Sequence, residues 1–474
     1  MFSIKWVQVI IKVFTASYFL LNFSYASEYQ VLEAELNFYP HYAGFFKSGK
    51  SIQYYVFGAR NFVVLNSKFQ TGQYIYLNVT TTSVDLGDMN GDGYDDLIEV
   101  SRNDISVRYQ SDKGLFLQPV KIISGYFMSP PGVQFVEQVN IAEDINKDGF
   151  SDLIIPSDYN YSYYQSNQKS LMKARDFECP YESTFSNRYW KNSDLKANRI
   201  SVKTYVPSTY FKDLNKDGVQ DLYCRYKNLV YYYISGPNES GSTIPFLQRI
   251  IKSYPIDLQG EYATDFFLED MDSDGCIDAV FSVVSGLGLK IKTDVQIFWG
   301  KGDLPDSSLY EKFTENGGFF TPLILDNSKE KQLLIPTMNL GVSFFLSYIL
   351  EKKMLIKGNI YSLRDTDHPR KFTKISDHSL SFSAADNLFP GFTVGDFNHD
   401  GFSDIALADD YEEIILHYGD ARMKGKKTLN LTVPGYGIIY TILQAMKSPE
   451  MLIYLPQKVP GYNSLKVYLI RFDE

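Results

Sequence analysis

The most regular pattern along this chain is a short acidic loop that runs directly into an apolar stretch. "DMNGDGYDDLIEVSRNDISVRYQ" (88–110) shows it first: nine loop residues, a mainly apolar run, a polar turn, and then "DISVRYQ", in which apolar and polar positions alternate. The arrangement returns in "DINKDGFSDLIIP" (144–156), "DLNKDGVQDLYCRY" (213–226), "DMDSDGCIDAVFSVV" (270–284) and "DFNHDGFSDIALADDYEEIILHYG" (396–419). Short apolar runs and period-two alternation on either side of a polar turn predict paired β-strands, not helix. "FLQPVKII" (116–123) and "FLQRIIKS" (246–253) follow as further strands. Counting the strand that enters the acidic loop, each unit holds four.

The five loop starts lie 56, 69, 57 and 126 residues apart, so the last gap is about twice the others. A worn copy is therefore expected near 330. "LDNSKEKQLLIP" (325–336) stands there, and its "LLIP" echoes "LIIP" at 153–156. "LQAMKSPEMLIYLP" (443–456) reads as a second worn copy. Five intact and two degraded four-stranded units predict an all-β, seven-bladed β-propeller over residues 27–474. Radial closure also removes the exposed edges that an open sheet of this size would carry. Residues 28–81 are expected to complete the last blade and lead into the first.

All five intact loops read D-x-[DN]-x-D-G-x-x-D. Oxygen ligands at alternate positions suit a hard cation: side chains at positions 1, 3, 5 and 9, a carbonyl at position 7, and glycine at position 6 for the sharp turn. The candidate ligands are Asp88, Asn90, Asp92, Tyr94 and Asp96; Asp144, Asn146, Asp148, Phe150 and Asp152; Asp213, Asn215, Asp217, Val219 and Asp221; Asp270, Asp272, Asp274, Cys276 and Asp278; Asp396, Asn398, Asp400, Phe402 and Asp404. Many ligands on a flexible loop favour calcium over magnesium, giving about five Ca²⁺ sites. An EF-hand requires glutamate at position 12. Only the first loop has it, as Glu99, whereas the others carry Ile155, Cys224, Phe281 and Leu407.

These loops, with the "FG"-like pairs Phe57-Gly58, Trp299-Gly300 and Tyr418-Gly419, make the chain resemble the FG-GAP or VCBS repeat proteins, whose best-known members are integrin α-subunit propellers. The resemblance spans most of residues 30–470. It implies calcium loops in the first hairpin of several blades, all on one face, and a partner on the opposite face. Two units lack a usable loop and no helical leg follows, so the integrin's own partner is not implied.

Composition refines this picture. Aromatic residues make up 16% of the chain, with 37 Tyr and 34 Phe, which favour half-buried pleated strands. Net charge is −10, with no basic stripe for phosphate, which argues against nucleic acid. Lys5 and Lys12, the apolar "VFTASYFLL" (13–21) and "SYA" (24–26) read as a signal peptide, residues 1–26. The expected destination is therefore secretion, the periplasm or the cell surface, with no integral membrane segment after cleavage. Cys179, Cys224 and Cys276 are an odd count and match no zinc spacing.

No HExxH or GxSxG motif occurs. The only acid–base cluster visible in sequence is Asp365, Asp367, His368, Asp377 and His378, which reads more readily as a polar loop. A basic, aromatic insertion at 166–199, with Tyr181, Tyr189 and Trp190, is a candidate for stacking on sugars or anchoring a protein. The expected function is a calcium-binding module for adhesion to a protein or glycan partner at a surface, without chemistry of its own. The alternatives are a polysaccharide lyase or hydrolase on a propeller scaffold, or an envelope assembly factor.

Overall fold

The computed structural model describes residues 29–472, apart from 126–135, 157–159, 192–195, 238–242, 287–289, 342–345, 365–370, 384–390, 410–412, 420–427, 433–437, 443–449, 455–464 and some single or paired positions. The described residues are almost entirely β, in a ring of eight antiparallel sheets. In chain order, blades 1 to 7 span 42–76, 81–124, 142–178, 209–253, 261–316, 318–383 and 392–432. Blade 8 takes three strands from 438–472, and its outer strand is Tyr29–Glu35, paired antiparallel to Lys466–Phe472.

Eight is one more blade than the sequence pattern predicts, and blade 1 accounts for the difference. Its first two strands, Tyr42–Ser48 and Ser51–Phe57, join through a two-residue turn in which Gly49 has φ 64°. That tight hairpin leaves no room for an acidic loop, so a count of loops passes over the blade. Of residues 28–81, only Tyr29–Glu35 completes the last blade; 42–76 is a blade in its own right. Blades 6 and 8 stand where the two worn copies lie.

The apolar runs that follow the loops now have a physical cause. The second strand of a blade is covered on both faces by its neighbours. In blade 2, Leu97 packs with Phe46, Phe57 and Phe62 of blade 1, while Ile98 and Val100 pack with Leu153 and Ile155 of blade 3. Further clusters join blades 3 and 4, 4 and 5, 5 and 6, 6 and 7, 7 and 8, and finally 8 and 1. The ring is thus closed by eight apolar interfaces, in which each fully buried Leu, Ile or Phe contributes about 1.5–3 kcal/mol.

First strands of successive blades approach one another between blades 2 and 3, 6 and 7, and 7 and 8, so they line the axis. Every blade runs the same way from inside to outside, so the loops that leave the first strands share one end of the ring. Between blades 2 and 3 the chain turns back along the axis, where Glu137–Gln138 pairs parallel to Ser83 and Val84.

The seam between blades 8 and 1 carries a polar lock. Glu450 is 2% exposed, accepts the Tyr54 hydroxyl proton and pairs with Arg471 Nε at 2.6 Å. Arg471 also donates to the Ser67 carbonyl at 3.1 Å, and Tyr454 donates to the His41 carbonyl at 2.9 Å. Removing one member of a buried pair strands the other. Glu450→Ala should therefore destabilise the protein by about 3 kcal/mol, seen as a lower midpoint in denaturant; an unchanged midpoint would remove the lock from the account.

Candidate metal centres

Each acidic loop joins the first strand of its blade to the second, in blades 2, 3, 4, 5 and 7. The five loops share one hydrogen-bond scheme. The position 1 carboxylate accepts the amide of the position 6 glycine, at 2.7 Å in Asp88 and 2.9–3.0 Å in Asp144, Asp213, Asp270 and Asp396. The position 3 side chain accepts the amide of position 5, and position 5 accepts that of position 7. Short Asp and Asn side chains bend the chain in this way because each bonds to backbone two residues on. The result is a loop wound around its own carboxylates.

Two backbone positions make the winding possible. Position 6 glycines have φ between 82° and 91°. A Cβ on Gly93, Gly149 or Gly218 would meet nothing within 4 Å, so glycine is required there by backbone angle and not by space. Position 4 is left-handed as well, and four of the five residues are not glycine: Lys147, Lys216, Ser273 and His399 have φ of 57–60°. Nothing in the motif announces this second left-handed residue. It places the His399 side chain at a bend, between the ligand positions.

Position 9 is the most buried point of the site. Asp96, Asp152, Asp221, Asp278 and Asp404 are each 0% exposed. In four of them one oxygen accepts the amide of position 2, at 2.8–3.0 Å. In all five the other oxygen accepts a backbone amide from the end of the third strand: Gln110, Ser166, Ser235, Gly300 or Gly419, at 2.6–2.8 Å. Asp152 also accepts the Tyr163 hydroxyl proton at 3.0 Å. The aromatic-glycine pairs of blades 5 and 7 are thereby explained. Gly300 and Gly419 bring bare backbone to the aspartate, and a Cβ on Gly300 would sit 2.6 Å from the Ile277 carbonyl.

Burial pushes these carboxylates up, to about 7 for Asp96, Asp152, Asp278 and Asp404 and about 6 for Asp221, and neighbouring acids of the same loop add to the shift: positions 1 and 5 for Asp96, Asp152 and Asp404, positions 3 and 5 for Asp278, and position 5 for Asp221. The backbone hydrogen bonds oppose the rise without cancelling it. Such a site favours either a proton or a cation.

The residues fit a cation most clearly in blade 5. Among the described residues, Asp270, Asp272 and Asp278 form the one group of three or more acidic, His or Cys ligand atoms lying within 4.8 Å of one another. Asp270 Oδ1 is buried without a hydrogen-bond partner. In the other four loops position 3 is Asn, and its amide donates to the position 5 carboxylate at 2.9–3.0 Å. Blade 5 has Asp272 instead, and thus four carboxylates at positions 1, 3, 5 and 9 against three in each of the others.

Neighbouring loops also touch, which the spacing of the motifs does not disclose. The amide of Ser151 donates to the Asp88 carbonyl at 2.6 Å, and that of Gln220 to the Ile145 carbonyl at 3.0 Å. Lys216 of the blade 4 loop donates to the Gly275 carbonyl of the blade 5 loop. In blade 2, Asp95 exchanges two hydrogen bonds with the Lys47 backbone of blade 1.

The remaining candidates separate from this site. Glu99 accepts from Thr81 Oγ1 at 2.9 Å and pairs with Arg108 at 2.5 Å, so it is part of the blade core and not of the loop. Asp365, Asp367 and His368 lie outside the described residues, as does the His378 side chain; Asp377 is exposed and pairs with Lys374 at 3.6 Å. Residues Ser170–Glu178 of the insertion are the outer strand of blade 3. Glu182–Lys191 and Lys196–Tyr205 form a separate hairpin, and the side chains of Tyr189 and Trp190 lie outside the description, as does Tyr181. Cys276 is a free thiol and Cys224 is buried, while Cys179 lies outside the described residues, as do the leader residues 1–26. No described helix is long and apolar enough to cross a membrane.

No protein-family model matches the chain, and no curated protein matches it by sequence. Solved structures with a similar course of chain include an Agrocybe aegerita lectin described as recognising non-reducing terminal N-acetylglucosamine (14% identity, 85% of this chain, 94% of that chain, TM-score 0.39). The biofilm matrix protein Bap1 of V. cholerae is another (11%, 94% and 87%, 0.39). A third is the Nup133 β-propeller domain of Vanderwaltozyma polyspora (8%, 79% and 91%, 0.39). Scores at this level say nothing of what the chain binds.

Two outcomes follow from the position 9 geometry. Asp278→Ala leaves the amides of Met271 and Gly300 buried without acceptors, so it should cost about 2–5 kcal/mol, read as a lower denaturation midpoint. The five raised carboxylates stabilise the fold when protonated: the gain is complete below their unfolded value near 4 and is lost as pH rises through about 6–7. In EDTA the melting temperature should therefore climb as pH falls from 8 to 5. A flat profile there would show that these groups are not held up.

Proposed function

We propose that the chain is an exported, calcium-stabilised β-propeller of the FG-GAP/VCBS kind, serving as a binding or adhesion module for a protein or glycan at a surface. The observation that supports calcium is the blade 5 loop, where three carboxylates converge and Asp270 Oδ1 is left without a partner. The same winding in four other loops extends the reading to about five ions, held by positions 1, 3, 5 and 9 and the carbonyl of position 7. Ten positive charges would offset most of the charge of an exported chain near −12. Calcium serves structure here: it neutralises acids that fix the first hairpin of five blades, and the rigid ring then offers its connections as a binding surface. By resemblance the partner meets the face away from the loops.

A terbium titration of the chain lacking residues 1–26 tests the ion, since Tyr94 at position 7 can sensitise its luminescence. Close to five equivalents should bind, with calcium displacing them. Calcium at a thousand times its dissociation constant stabilises by about 4 kcal/mol per site, so EDTA should lower the melting temperature by many degrees. Identical melts in calcium and EDTA would overturn structural calcium. For the module itself, immobilised protein should retain a discrete protein or glycan from envelope or host-surface extract; retention of nothing, over several extracts, would count against it.

A further inference from the structure

The five acidic loops are not spread evenly round the ring. Blades 2, 3, 4 and 5 carry them in succession, whereas blade 7 stands between blades 6 and 8, whose worn copies lack the motif. Within the run of four, position 8 of one loop bonds to the start of the loop before it. Ser151 N–H donates to the Asp88 carbonyl at 2.6 Å, and Gln220 N–H to the Ile145 carbonyl at 3.0 Å. Position 7 side chains lean the same way. A Cβ on Gly91, at position 4 of blade 2, would sit 2.5 Å from the Phe150 ring, so that ring takes the space where the other four loops carry a side chain. Val219 shares a buried apolar cluster with Ile145. Lys216 carries the run on by donating to the Gly275 carbonyl of blade 5.

We propose that the ions of blades 2 to 5 bind as one cooperative row, each loop helping to order the next, while the blade 7 ion binds independently; the proposal rests on the calcium reading and adds its regulation. An ion held by a loop fixes the carboxylate of position 1 and the carbonyl of position 7. The same residues meet the adjacent loop by other atoms: Asp88 by its carbonyl, Phe150 and Val219 by their side chains. Filling one site therefore removes in advance part of the conformational freedom that its neighbour must lose on filling. That gives positive cooperativity without a change of fold.

Repulsion between neighbouring ions opposes this coupling but does not cancel it. Each loop brings three or four carboxylates at positions 1, 3, 5 and 9, so a loop holding one divalent ion is still negative. The contacts also have a direction, each loop resting on the one before. Blade 2 rests in turn on a hairpin that needs no ion. Asp95 N–H donates to the Lys47 carbonyl at 3.0 Å, its Oδ2 accepts the Lys47 amide at 2.7 Å, and the Tyr94 ring lies 3.0 Å from where a Cβ of Gly49 would stand. The row is thus anchored at blade 1 and ends at blade 5, because the sequence of blade 6 offers no intact loop to continue it.

The test is a calcium titration of the stripped chain lacking residues 1–26 against a chromophoric chelator, under conditions where its far-ultraviolet circular dichroism matches that of the loaded protein. Four equivalents should bind with a Hill coefficient of about 2, as roughly tenfold coupling between neighbours gives, and a fifth without cooperativity. Gly91→Ser and Lys216→Ser each put at position 4 the residue type that blade 5 carries there, Ser273, and neither removes a candidate ligand. The first displaces the Phe150 ring and the second cuts the bond to Gly275. Together they should lower the coefficient towards one with the number of bound ions unchanged. Asp396→Asn/Asp400→Asn should remove the independent equivalent alone. Independent binding at every site would overturn the row and leave structural calcium standing, as would an unchanged coefficient in the Gly91/Lys216 variant. Cooperative uptake at all five sites would also overturn it, since that reports ordering of the whole ring and not contact between loops. Failure to bind calcium at all would overturn both the row and the reading beneath it.

Discussion

The carboxylate that opens the second strand of blades 2, 3, 4, 5 and 7 takes hydrogen bonds from backbone at separate points of its blade, and in four of them from both the acidic loop and the third strand. Nothing else in the blade could do this as compactly. A serine would reach one amide, an asparagine would present a donor to a donor, and a glutamate would overfill the space. The cost is a fully buried acid. Much of the surrounding architecture reads as its consequence: the glycines that let backbone approach, the loop acids that line the same small volume, and the suitability of that volume for a cation. Blade 8 uses a different solution at the same strand position, where Glu450 meets Arg471 and a tyrosine from the next blade.

Contacts between loops join these separate sites into a belt. From blade 1 to blade 4 the backbone of each loop, or of the turn that replaces it, receives a hydrogen bond from the next, and Lys216 carries the contact on to blade 5. Glu269 of blade 5 pairs with a lysine from each neighbouring blade, Lys212 of blade 4 and Lys331 of blade 6.

The five intact loops and the strands after them were legible because each must satisfy a local rule: oxygen at alternate positions, glycine at a turn, and apolar residues on a strand covered on both sides. Blade 1 was not, since it joins Ser48 to Ser51 through a bare turn and carries no motif to count. Its strand pattern is ordinary, and the fact that fixes it as a blade, the packing of Tyr54 and Val56 against Leu452 and Leu469, lies four hundred residues away in sequence. The left-handed position 4 escaped for another reason. Lys, Ser and His carry no signature of that conformation, and only the hydrogen bonds around them impose it. Glu99 shows the reverse case, a residue whose spacing suits a known calcium pattern while Thr81 and Arg108 hold it elsewhere.

The pairing of Tyr29–Glu35 with Lys466–Phe472 closes the ring between residues far apart in the chain. Each blade interface lies between neighbours in the chain, so sheets can form and stack one after another as local events. The exception is the eighth interface, whose strand partners are the most distant in the sequence and carry the largest loop-closure entropy. Until the last blade exists, the first described strand has nothing to pair with. An arc of blades without that closure would carry one unpaired strand and two uncovered apolar faces, so the stability of the whole ring is tied to a single strand pairing between residues far apart in the chain.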